Sequence, residues 1–337
     1  MSERSGIIAQ CMVVKESTYG TRVAPTRGYE VSGESLELDI ARVEGFGVRA
    51  AGAAAGSVQR TTRWAAGRKT VSGSLEFDGD ACGVGDKGFA MLFENAMGAT
   101  AVITTPGGGT TSRDHDIDLG DPFGKSLTIQ VGTPDVSGAV RVREFEGCKI
   151  VGWELSQELD KWLAASFEFD GEDMTTSQSL ASFSLPTGQA LYHWGQAVYT
   201  VGGAGLDVIG FSLKVETPMA AERYFQAANY QLKREPIING QRMIEGELEI
   251  EFGGLTEYNR YLNGTIAAVV GTWTGSIIEA AIAHALVVTL NDVRFEKPSG
   301  PNAQGPDLVT FTAPFKAMYD GTDQPLHLKY TTTDTAV

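Results

Sequence analysis

The sequence predicts a mainly-β chain: two tandem β-sandwich or barrel-like domains, each with one short flanking α-helix. Three observations carry this. Val71-Ser72-Gly73-Ser74-Leu75-Glu76-Phe77 alternates with period two and returns as Ile244-Glu245-Gly246-Glu247-Leu248-Glu249-Ile250; period two is the signature of a half-buried strand. Each copy is preceded by another alternating strand and a long polar excursion, and is followed by a short helical pattern ending at Gly98 or Gly264, the usual left-handed helix stop. Elsewhere, runs of four to nine alternating residues are bounded by Gly, Pro or Asp. A repeated order over some sixty residues reads as an internal duplication. It gives domains at 1–186 and 187–337.

Residues 1–28 read as an extended arm with turns, and a strand follows over Tyr29–Ile40. Residues 41–68 form a long loop with a small-residue run, Ala50–Gly56, and the cations Arg49, Arg60, Arg63 and Arg68. A structureless loop of that length in a compact domain tends to be functional, and its basic bias suits an acidic neighbour. After the Gly88–Gly98 helix come strands at Val102–Thr105 and Ser126–Val131 and a hairpin from Gly147–Leu155 and Leu163–Phe169. The stretch 171–190 is the best linker. The second half places strands at Ala197–Val201, Phe211–Val215, Ala267–Trp273, Leu286–Leu290, Val293–Phe295, Leu308–Ala317 and Leu326–Tyr330. Its own long loop, 217–242, carries Arg223, Lys233 and Arg234. The material around 100–146 and 265–285 exceeds the minimal repeat.

The chain has 337 residues, 42% hydrophobic, with net charge −15. That charge opposes wrapping a nucleic acid through phosphate contacts, which needs Lys and Arg. No apolar run is long enough to cross a bilayer as a helix, and no basic-then-apolar leader opens the sequence. Cys11, Cys82 and Cys148 match no metal or redox spacing, so synthesis in a reducing cytoplasm is the expectation.

Catalytic and cofactor signals are weak. Gly120-Asp121-Pro122-Phe123-Gly124-Lys125-Ser126 has the wrong glycine spacing for a phosphate loop, and Pro122 removes an N–H. Asp114, Asp116 and Asp118 alternate as an acidic face. A solvated strand edge is the first reading and a bound cation the second, since the Gly and distal Glu of a calcium loop are missing. The four histidines pair with no ligand at metal spacing. No nucleophile, base and oxyanion donor assemble, so no catalytic residue, cofactor or metal ligand is assigned.

The stretches Ser17–Thr21, Glu34–Asp39, Gly67–Phe77 and Leu92–Gly98, with the long loop between, resemble the tail tube proteins of long-tailed bacteriophages. The resemblance covers the first hundred residues and reaches the rest through the repeat. It implies a virion structural protein, made in the host cytoplasm, whose rings stack into a tube. Two domains per chain imply a homotrimeric, pseudo-hexameric ring. The implied partners are further copies of itself, tail tip and tail terminator proteins, and, inside the lumen, the tape measure protein and genomic DNA, without sequence-specific binding and without a membrane. Rings would stack through 41–68, with 217–242 as counterpart. The lumen candidates are Ser74, Glu76 and Asp78 in one strand and Glu245, Glu247, Glu249 and Glu251 in the other. Period two fixes which residues share a face, not which face is inward. Two other classes stay open: a capsid or tail decoration or adhesion module, and an all-β glycosidase, although no carboxylate spacing marks an acid and a nucleophile.

Overall fold

The computed structural model describes residues 9–44, 64–78, 89–183, 191–226, 229, 231–301 and 308–335. The first half contains β1 (Gln10–Lys15), β2 (Arg27–Tyr29), β3 (Gly33–Glu34), β4 (Glu37–Glu44), β5 (Trp64–Asp78), α1 (Ala90–Met97), β6 (Val102–Thr104), β7 (Arg113–Asp118), β8 (Leu127–Pro134), β9 (Val140–Glu158), β10 (Ala164–Gly171) and β11 (Asp173–Thr175). The second contains β12 (Ala197–Val201), β13 (Ala204–Leu206), β14 (Val208–Glu216), β15 (Met243–Glu251), α2 (Thr256–Asn263), β16 (Ala267–Glu279), β17 (Ile282–Phe295), β18 (Thr310–Ala317) and β19 (His327–Thr332). The chain is mainly β, as expected.

The pivot of the first half is β9, a 19-residue strand that serves two layers. Its first part pairs with β8 and β11, and β1 and β2 extend that layer. Its second part pairs with β10, which continues through β5 to β4. Register shifts opposite Leu127/Ile129 and at Glu168/Phe169 mark the crossing; bulges bend a strand and increase its twist. The same pairings recur in the second half. There β17 joins β16 and β19, with β12 and β13 beyond, and then β18, β15 and β14.

The two halves share a sheet. β14 pairs with β9 from Gly210↔Glu158 to Glu216↔Gly152. The inner layer is therefore one antiparallel sheet in the order β4–β5–β10–β9–β14–β15–β18–β17, open at both ends. A second junction comes from the β6–β7 hairpin, whose β7 pairs with β19. Part of the extra material around 100–146 is thus a clip reaching across to the second half. The material at 265–285 is β16 and the start of β17, equivalents of β8 and β9.

Both repeated glycines have a steric cause. A Cβ on Gly246 would lie 2.3 Å from the Ser212 carbonyl oxygen and 2.5 Å from the Phe315 ring. On Gly73, at φ +146°, it would lie 2.5 Å from the Ser35 carbonyl oxygen. Gly73 stands opposite Phe169 and Gly246 opposite Phe315.

The helices differ sharply. α1 buries all eight residues and α2 none. Phe89 and Phe93 plug the first sandwich against Phe77, Phe167 and Trp153, with Phe77 and Phe89 edge-to-face at 4.8 Å. Each such ring contributes about 1.5–3 kcal/mol by leaving water. Burial opposes the charge of Glu94 on α1, yet the ammoniums of Lys125 and Lys15, each at 2.9 Å, hold its carboxyl below the usual value.

Several expectations are corrected. The strand at Tyr29–Ile40 is three pieces, β2, β3 and β4. The 41–68 loop is shorter, because 41–44 and 64–68 are strand; backbone pairing of Glu44 with Trp64 extends the hairpin. Leu286–Leu290 and Val293–Phe295 are one strand, β17.

Candidate functional site

The surface that stands out is one face of the shared sheet. Val71, Leu75 and Phe77 on β5, and Ile244, Leu248 and Ile250 on β15, turn into the core. The alternate residues turn out, and the registers align them across strands. One row runs Glu76, Ser166, Glu154, Lys214, Glu245, Lys316, Arg294. The next runs Asp78, Ala164, Ser156, Ser212, Glu247, Pro314. Ser74 lies in line with Glu168, and Glu249 with Gly210 and Glu158. Ser74, Glu76, Asp78, Glu245, Glu247, Glu249 and Glu251 therefore lie on a common face, although the two strands are 173 residues apart in sequence.

Sequence reasoning missed the other members of that face. Glu154, Glu158 and Glu168 add to it, while Lys316 reaches Glu245 at 2.5 Å and Lys214 reaches Glu216 at 2.7 Å. Their own alternation was visible; that β9 carries them into the same sheet was not.

The cation candidates separate. Arg49, Arg60 and Arg63 lie outside the described residues. Arg68 is on β5, pairs with Glu222 and stands over the Tyr224 ring. The 217–242 segment folds back onto the first half of its own chain. The Lys69 N–H donates to the Gln231 carbonyl at 2.8 Å, Gln231 Nε2 donates to the Ala66 carbonyl at 3.1 Å, and Tyr224 donates to the Lys69 carbonyl. Lys233 is buried against Asp170. Burial outweighs that ammonium and keeps the Asp170 carboxyl above its usual value. Lys149 reaches Glu235 at 2.6 Å, Arg223 donates to the Glu235 carbonyl, and Arg234 covers the Phe225 ring. The segment braces the base of the β4–β5 ribbon.

Beside it, Glu172 is pushed up to about 7, first by burial and then by Glu16, Asp173 and Glu146, with Lys233 opposing. The neighbouring Glu16 is satisfied by Ser126, Thr128 and the N–H groups of Gly20 and Gly147.

Asp114 and Asp116 are not on a strand edge, because there β7 lies between β6 and β19. Asp118 lies past the end of β6, paired only with His327 of β19 and exposed. Lys329 reaches Asp114 at 2.7 Å, the Thr331 hydroxyl donates to it at 2.6 Å, and His327 lies 3.4 Å from Asp116 and 2.8 Å from Asp118. The row was legible; its cross-strand partners, some 210 residues away, were not. Among the described residues, no group of three or more His, Cys, Asp or Glu side chains is placed to hold a metal ion. No described helix is long and apolar enough to cross a membrane. Cys11 and Cys148 are buried thiols, both pushed up by burial.

A shared sheet with a largely polar outward face, open at both ends, defines a mainly-β protein. The chain belongs to the phage tail tube proteins: the family model of that description matches residues 6–317. Its role is that of a structural component of a phage tail. A search of curated proteins finds no match.

Proposed function

We propose that three copies of this chain close into a ring of six sandwich units, divided near residue 186, and that the rings stack into the tail tube. The observation that carries this is the β9–β14 junction. In the repeat, β4 stands where β14 stands, and the end of β17 stands where the second part of β9 stands. Both are the open ends of the inner sheet. Repeating the intrachain step between copies pairs the end of β17 and the residues that follow it with β4 of the next chain and closes both open ends of the inner sheet, the feature that otherwise drives uncontrolled strand addition. The 41–68 loop stacks the rings, with tail tip and terminator proteins at the ends of the tube.

The outward face of the inner sheet lines the channel. Duplex DNA carries one charge per ~1.7 Å, and every cation that contacts it adds salt-dependent affinity. Glu76, Glu154, Glu168, Glu247 and Glu249 keep DNA hydrated and off the wall, and the cations on the face, Lys214, Lys316 and Arg294, are held by Glu216, Glu245 and Glu296. Tape measure protein and then genome pass without being bound.

The test is to assemble Glu247→Lys/Glu249→Lys tubes. They should form, retain DNA at low salt and release it as salt rises, and virions carrying them should eject slowly. Tubes that retain no DNA and virions that eject normally would place these carboxylates elsewhere. A ring whose mass is that of six chains would refute the trimer.

A further inference from the structure

We propose that Lys233 and Asp170 condense to an amide, an intramolecular cross-link that fastens the 217–242 segment to β10. The cross-link lies within one chain and is independent of how copies assemble.

The two groups meet away from water. The Lys233 side chain is 0% exposed and that of Asp170 12%. Among the described residues, the Lys233 ammonium donates to Asp170 Oδ1 and to nothing else. Asp170 is fixed in mid-sheet, opposite Ser72 of β5 and Lys149 of β9. A nucleophile and a carboxyl held together in this way react as one molecule, which removes most of the entropic barrier to bond formation.

The carboxyl also has an oxygen that can leave. Asp170 Oδ2 is buried and has no hydrogen-bond partner among the described residues. Burial raises the carboxyl above its usual value, Glu222 adds to that, and Lys233 only partly opposes it. In so dry a place the neutral pair, amine and carboxylic acid, is within reach of the ionic one, because burial disfavours both charges. A carboxylic acid can lose a hydroxyl, whereas a carboxylate cannot.

A proton carrier stands beside the pair. Glu172, two residues along from Asp170, lines the same cleft as Lys233 and Tyr19. It is pushed up to about 7 by burial and then by Glu16, Asp173 and Glu146, with Lys233 opposing. It therefore holds a proton in much of the neutral range and can exchange one.

The step balances without a co-reactant. One Nζ proton passes to the carboxylate and gives the neutral pair. The Nζ lone pair then attacks Cγ, and the C–N bond forms. The Cγ–hydroxyl bond breaks as Glu172 gives its proton to the departing oxygen and takes a second one from Nζ. One water leaves, the amide keeps one N–H, and Glu172 ends as it began. Because the ion pair is the resting form, condensation is slower than folding, and freshly made protein still carries the ion pair.

The nearby Lys149–Glu235 pair is built differently. The Lys149 ammonium also donates to the Pro122 carbonyl at 2.6 Å, and Glu235 also accepts from the Gly124 N–H at 2.6 Å. Both its charges are satisfied by further hydrogen bonds. The amide would close a covalent loop between residues 63 apart, which restricts the unfolded chain as any such cross-link does, and would keep the brace seated under the β4–β5 ribbon.

The experiment follows the full chain, fresh and after prolonged incubation near pH 6, by intact mass and by tryptic mapping. Aged wild type should have lost the mass of one water. Its digest should contain a branched peptide joining Asp170 to Lys233, with no cleavage after Lys233. Lys233→Arg keeps a cation beside Asp170 but should keep its full mass. Aged wild type of full mass that is cleaved normally after Lys233 would overturn the proposal. A loss of water shared by Lys233→Arg, with unbranched peptides, would instead be closure of Asp170 onto the Gly171 nitrogen and would overturn it too. If Lys233→Arg fails to fold, the presence or absence of the branched peptide in wild type decides alone.

Discussion

Lys233→Met tests whether the 217–242 segment is a brace. Lys233 has a fully buried side chain, and its ammonium pairs with Asp170, which is itself largely buried. Met matches the length of the stem but leaves Asp170 without its counter-charge. Removing one partner of a buried ion pair costs about 3–5 kcal/mol, because the orphaned charge stays desolvated. For 337 residues, at about 2.1 cal/mol/K per residue, the unfolding entropy is ~0.7 kcal/mol/K, so the expected fall in Tm is about 4–7 °C. Calorimetry at pH 7 reads it. The local consequence is faster tryptic cleavage after Arg223 and Arg234, since the brace no longer grips Asp170. The deficit should shrink as pH falls, because Asp170, whose carboxyl is already raised by burial, takes a proton more readily than an ordinary carboxylate and then ceases to need a partner. Asp170→Leu added to Lys233→Met should recover most of the loss, an apolar pair being close to neutral where a broken ionic pair is not. A Tm within 1 °C of wild type, with unchanged cleavage, would refute the reasoning.

Three more outcomes follow from named contacts. Gly246→Ala drives a methyl into the Ser212 carbonyl and the Phe315 ring and should destabilise the protein by about 1–3 kcal/mol in urea unfolding, the usual cost of overpacking. Glu172, raised to about 7, favours the protonated folded state; its stabilising contribution is complete below the ordinary carboxyl value of 4.5 and is lost as pH rises through 7. Glu172→Gln should therefore raise Tm at pH 8, leave it nearly unchanged at pH 4, and flatten the profile between. Glu279 accepts from the N–H groups of Thr110, Thr111 and Ser112 and from the hydroxyls of Thr110 and Ser112, which hold its carboxyl far below the usual range. Glu279→Gln should lower the hydrogen-exchange protection of these three amides at neutral pH; the carboxylate contact is present above the ordinary carboxyl range and is lost only as pH falls through the depressed folded value.

The alternating strands were legible because alternation is local. Side chains in a strand change face at every residue, so Ile244, Leu248 and Ile250 against Glu245, Glu247 and Glu249 declare a buried and a wet side before any partner is known. The helix stops at Gly98 and Gly264, both left-handed in the structure, are equally local, and so is the preference for glycine there. The sequence showed that Gly73 and Gly246 recur; it could not show that a neighbouring backbone lies too close for a Cβ.

Everything that depends on which strand meets which was decided by the tertiary structure. β9 looks like part of a hairpin, yet it is shared by two layers and also holds β14. The β6–β7 hairpin belongs by position to the first half and by pairing to the second. The brace unites Lys233 with Asp170 across 63 residues, and the clip unites Asp114 with Thr331 across 217. Residue periodicity carries no record of such distances: any alternating strand can pair with any other, and the choice is made by the shape of the core, the register that buries both apolar faces and the connections that can reach. The acidic residues were therefore determined by the sequence, while their gathering onto one open sheet was determined only by the fold.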